Sequence, residues 1–70
     1  MLTFIVLIRR SASSGRLLAP EPFAARLPSA EAAGDAVLAQ HAGAALLGVG
    51  ELSLTASALI DLADGEVRRL

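Results

Sequence analysis

Residues Leu2 to Arg9 are an almost wholly apolar run that ends in arginine. One set of positions is Leu2, Phe4, Val6 and Ile8; the other is Thr3, Ile5, Leu7 and Arg9. Successive side chains of a strand point to opposite faces, and a short β-branched and aromatic run bounded by a Ser/Gly cluster favours a strand. Both sets are mainly apolar, as expected for a strand covered on two sides. A bilayer-spanning helix needs about 20 apolar residues, so the run is too short to be one. Its arginines follow the apolar residues, whereas an export signal has its basic residues first.

The pattern then predicts a turn at Ser11–Gly15 and a second strand at Arg16–Ala19 that pairs back on the first. Pro20 and Pro22 end this strand and place it at an edge, because proline donates no ladder hydrogen bond. Phe23 falls in the loop beyond, pinning it to the sheet. Ser29 is a good N-cap for a helix that Gly43 ends, with Glu31 and Asp35 towards the positive end of its dipole. Gly34 costs that helix about 1 kcal/mol relative to alanine, but with Ala33, Ala36 and Val37 it allows close approach to a sheet. Leu38 lies well round from these small residues, towards a partner.

A third strand is expected at Ala45–Leu54, where Gly48 and Gly50 point to a bulge or a close backbone contact. A second, shorter helix follows, with Thr55 as N-cap and Leu59, Ile60 and Leu62 on its apolar side. Asp64-Gly65 closes it, and Glu66–Leu70 forms a tail or a short last strand. The fold class is α+β: one domain over residues 1–70, with an antiparallel sheet of about three strands packed on one main helix plus a short C-terminal helix, in the order β-β-α-β-α.

Composition narrows the possible roles. The chain is 54% hydrophobic and 19% charged, too apolar for a disordered tail. At 70 residues a core rarely supplies more than about 3–5 kcal/mol without a staple. There is no cysteine and one histidine, which removes disulfides, thiolate metal sites and His-rich sites, and fits a cytoplasmic protein. Oligomerisation is the staple that remains. The net charge of −1 argues against strong non-specific nucleic-acid binding. Residues 1–20 nevertheless hold Arg9, Arg10 and Arg16 and no acid, while residues 21–70 hold three arginines against seven acids.

No pattern specifies chemistry. Gly48-Val49-Gly50 starts a dinucleotide fingerprint, but Ser53 stands where its third glycine belongs. His41, Asp35 and a serine form no ordered nucleophilic set, and a histidine in the last helical turn suits the exposed carbonyls. Asp61, Asp64 and Glu66 lack the alternation of a calcium loop. No cofactor, metal or small-molecule substrate is expected, and an enzyme is the least favoured reading.

Residues 50–70, GELSLTASALIDLADGEVRRL, resemble two family patterns of strand, short helix, Gly-Asp turn and return strand. These are the surface-presentation-of-antigens domain of flagellar and type III secretion ring proteins, and the swapped-hairpin fold of AbrB-type antitoxins. The resemblance covers under a third of the chain, has Asp64-Gly65 in place of Gly-Asp, and assigns no residue a role.

Three readings follow. The first is a non-enzymatic protein-interaction module acting as a homodimer, in general form like a phage or mobile-element inhibitor of the anti-CRISPR kind that binds a host protein complex. Arg9, Arg10 and Arg16 would meet the partner, with Ile5, Leu7, Leu46, Leu47 and Val49 at the dimer seam. The second is a small DNA-associated regulator or antitoxin using the same arginines. The third is a structural subunit of a secretion or flagellar ring. None involves a membrane.

Overall fold

The computed structural model describes all 70 residues, Met1 to Leu70. Six elements follow in chain order: β1 (Leu2–Arg9), β2 (Glu21–Leu27), α1 (Ala30–Gln40), β3 (Ala45–Glu51), α2 (Leu54–Ile60) and β4 (Val67–Arg69). The strands form one antiparallel sheet in the order β3-β1-β2-β4. The α+β class is as the sequence indicates, and residues 67–69 supply a fourth strand.

The second strand lies further along the chain than Arg16–Ala19. That segment makes a single bridge, Ser11 to Leu17, and belongs to a hairpin arm that runs on from β1. Ala12 N–H donates to the Arg16 carbonyl at 2.7 Å and Leu18 N–H to that of Arg10 at 2.9 Å. Gly15 turns the tip at φ 87°. Beyond the arm, Phe23, Ala25 and Leu27 stand opposite Val6, Phe4 and Leu2. Phe23 is therefore a core residue, 3% exposed, and pins no loop.

Pro22 neither ends β2 nor places it at an edge, and the hydrogen-bond phase explains why. Leu70 N–H donates to the Pro22 carbonyl, and Arg26 N–H to that of Glu66, so even-numbered residues of β2 bond towards β4. Towards β1, Pro22 occupies a non-bonded position. Its missing N–H removes only the outermost rung beside Leu70.

α1 packs on the face carrying Phe4, Val6, Ile8 and Phe23, with Ala33 and Val37 in the same core cluster. A Cβ on Gly34 would lie 3.3 Å from Leu46 Cδ2 and 3.5 Å from Val49 Cγ2, so helix and β3 approach closely here and leave room for at most a methyl group. Leu38 packs partly against this core instead of turning outward. The Ser29 hydroxyl accepts from Ala32 N–H, and the helix ends at His41, whose ring lies 4.7 Å from that of Phe23.

β3 stops at Glu51, earlier than the predicted Leu54, because Ser53 caps α2 by accepting from Ala56 N–H. Thr55 thus lies inside the helix. Asp61 ends α2 in the left-handed conformation at φ 54°, and Asp64-Gly65 turns the chain into β4. Leu62 lies past the helix and is buried, whereas Leu59 on the helix is 84% exposed. The radius of gyration, 12.2 Å, exceeds the roughly 11 Å expected for this length because the arm projects. No helix is long and apolar enough to cross a membrane.

Three substitutions test this packing by urea denaturation. Phe23→Ala is expected to cost about 3–5 kcal/mol, whereas a loop pin would lose far less. Gly34→Ala should be neutral or stabilising by up to about 1 kcal/mol, since the half-exposed Leu46 tip can give way, while Gly34→Leu should unfold the chain.

Candidate interaction surface

The second face of the sheet carries Thr3, Ile5, Leu7 and Arg9 from β1, opposite Arg26, Ala24 and Pro22 of β2. Part of it is covered by the chain from α2 to β4. Ser57 Oγ donates to Thr3 Oγ1 at 2.7 Å, Arg26 Nη1 donates to Thr3 Oγ1 at 3.1 Å, and Arg26 Nε donates to Asp64 Oδ1 at 2.8 Å. Arg68 Nη1 donates to the Ile60 carbonyl at 3.0 Å. These bonds tie residues 57–64 across the half of the face nearest Thr3 and Arg26, where Leu62 and Ala24 are buried.

The other half lies open. Ile5 and Leu7 are half-buried and stand opposite Gly50 and Gly48 of β3. A Cβ added at either glycine would meet nothing within 4 Å. The two glycines form the bare floor of a one-sided trough at the sheet edge, with Ile5 and Leu7 as its single wall. Beyond the covered half, α2 exposes Leu54 and Leu59 at 86% and 84%.

The five expected seam residues do not share a face. Ile5 and Leu7 point to the trough, while Leu46 and Val49 stand opposite Ile8 and Val6 on the α1 side. Leu47 sits at the register shift between Leu7 and Ile8 and is 47% exposed.

The three expected partner-binding arginines lie at one end of the molecule, where β1 runs into the arm, but they differ in availability. Arg10 grips Glu21 with two hydrogen bonds of 2.6 Å, Nε to Oε2 and Nη2 to Oε1. Arg69 Nε lies 3.5 Å from the same Oε1. Arg10 therefore braces the arm against β2. Arg9 Nε is buried without a hydrogen-bond partner, and Arg16 is exposed beside the arm tip. Nothing in the local sequence pairs Glu21 with Arg10, because the contact spans the whole arm.

Charge is segregated along the strand direction. The arm end holds Arg9, Arg10, Arg16 and Arg69 against Glu21 alone, a balance of +3. The far end holds Glu31, Glu51, Asp61, Asp64 and Glu66 against Arg26 and Arg68, a balance of −3. Asp35 lies between them on α1.

A cleft of about 120 Å³ at the far end includes Thr3, Arg26, Glu51, Ser53 and Ser57. Its hydroxyls are engaged in capping and in the Thr3–Ser57 bond. His41 lies at the other end, against Phe23. No three His, Cys, Asp or Glu side chains gather into a set that could hold a metal ion.

The Arg10 hydrogen bond holds the Glu21 carboxyl below the usual carboxylate range, with the charges of Arg10, Arg69 and His41 adding to it and burial opposing. The Ala63 N–H bond, then Arg68, lowers Glu66. A carboxyl depressed by folding contributes stability that is complete above its unfolded value, about 4.3, and lost as pH falls through the lower folded value. Thermal melts from pH 7 to 3 should therefore show the melting temperature falling below pH 4. A Glu21→Gln/Glu66→Gln chain should show a shallower fall, and an unchanged slope would contradict the assignment. A comparison with protein-family models, with curated proteins and with solved structures finds no match to this chain.

Proposed function

We propose that this chain is a non-enzymatic protein-interaction module that works as a homodimer and takes a partner protein in the trough between β1 and β3. The observation that carries this reading is the bare floor at Gly48 and Gly50 beside Ile5 and Leu7. Strand interiors favour β-branched residues, and glycine there costs about 0.5–1 kcal/mol relative to alanine. Two glycines whose side-chain space is empty are thus unfavourable for this fold taken alone. They suit a surface against which an apolar ridge of another protein lies close to the backbone. The apolar inventory supports it, since nine apolar residues form the core while nine large apolar side chains stay exposed.

The +3 arm end favours a second reading, contact with the phosphates of DNA through Arg9, Arg16 and Arg69. Such binding would weaken steeply with added salt.

Gly48→Val/Gly50→Val separates a docking trough from a structural one. Its urea midpoint should equal or exceed that of the natural sequence, because an added Cβ meets nothing within 4 Å and β-branched residues suit a strand. Affinity purification from the host should recover a stoichiometric protein with the natural chain and lose it with this variant. Retention of the partner, or a midpoint well below that of the natural chain, would overturn the trough. DNA retained at low salt and released by about 0.2 M salt would support the second reading.

A further inference from the structure

The two edges of the sheet are protected very differently. β4 is three residues long and carries Arg68 and Arg69, and short, charged edge strands resist pairing. β3 is seven residues long, holds no proline, and has no charge before Glu51. Its hydrogen-bond phase is set by Leu52 N–H donating to the Thr3 carbonyl. The glycines opposite Ile5 and Leu7 therefore bond inward to β1, and the N–H and C=O groups of Val49 and Glu51 point outward, unpaired.

We infer that the edge of β3 is the homodimer seam: β3 of two copies pairs antiparallel about a two-fold axis near Val49 and Gly50, giving one continuous eight-stranded sheet. This rests on the homodimer half of the proposed function and locates it. Charge decides for a second copy over an unrelated strand. Antiparallel pairing is the arrangement that lays the +3 end of each copy beside the −3 end of the other. Parallel stacking would set like ends together. With the axis there, Glu51 of each copy falls opposite residues 47–49 of the other, on the face that carries α1. Both α1 helices then lie on the same side of the joined sheet, with the half-exposed Leu46 and Leu47 close to the seam. The troughs remain open on the opposite side, so dimer and partner can be bound together.

The outward orientation of the Glu51 N–H permits a selective test. Glu51→Pro removes one outward donor and no bond to β1, and the extended backbone at Gly50 accepts a following proline. The natural chain, Glu51→Pro, Glu51→Gln and Leu47→Glu are compared by light scattering and sedimentation at micromolar concentrations, with circular dichroism to confirm folding. The natural chain should have twice the 7.1 kDa chain mass and dissociate progressively with salt. Glu51→Pro and Leu47→Glu, which sets like charges across the seam, should be folded monomers, and Glu51→Gln a dimer with reduced salt dependence. A dimer that Glu51→Pro and Leu47→Glu both leave intact would overturn this seam while leaving the homodimer standing. A 7.1 kDa monomer throughout would overturn both. Should Glu51→Pro fail to fold, the exposed Leu47→Glu decides alone. Partner capture by the trough is read separately, in the Gly48→Val/Gly50→Val chain.

Discussion

β1 occupies the middle of a small sheet and is apolar on both faces, and most of the structure follows from covering it. Burying one face requires a helix close to the sheet, which the small residues of α1 permit. Ala33 and Val37 are fully buried above Val6, Ile8 and Phe23, and at Gly34 the helix sits close against Leu46 and Val49. The opposite face has no comparable helix. α2 is seven residues long and is held mainly through polar groups, the Thr3–Ser57–Arg26 bonds and the Arg26–Asp64 pair. Such a cover fixes where the segment crosses the sheet, yet it seals only part of the apolar surface.

The unsealed part and the unprotected edge meet on the same strand. β3 presents its glycines to the trough and the backbone groups of Val49 and Glu51 to solvent. One strand therefore leaves two distinct surfaces open, a face and an edge, made of different atoms. The arm end adds a third property, a concentration of arginine that Glu21 only partly neutralises. In the antiparallel pairing proposed for β3 the charges of the two ends offset one another, so the separation of charge along the molecule and the pairing of its edge act in the same direction.

The residues visible as candidates along the chain are regrouped by the fold. Arg9, Arg10 and Arg16 do gather, as their proximity in sequence implies. Arg10 is nevertheless occupied by a carboxylate eleven residues away, a distance that no local pattern reports. Ile5 and Leu7 part from Leu46 and Val49 because alternation places them on opposite faces. Leu54 and Leu59 look like ordinary helix apolar positions and become notable only when nothing in the chain covers them. Gly48 and Gly50 stand out as strand glycines in the sequence, but whether they mark a bulge, a close contact or an open floor depends on what lies above them.

Local sequence determined what depends on neighbouring residues: the strand character and two apolar faces of β1, the Ser29 cap and small-residue face of α1, the Ser11–Gly15 turn, and the α+β class. It misplaced β2, because a proline is tolerated or excluded according to where its missing N–H points, and that direction is set by β1 on one side and Leu70 on the other. It also misplaced the α2 cap, since Ser53 and Thr55 are chemically similar and the exit of β3 from the sheet chose between them. Edge and interior, paired and free arginine, covered and open face are relations between segments distant in sequence. Only the tertiary structure decided them, because hydrogen-bond phase and burial are properties of the assembled sheet and not of any one stretch of chain.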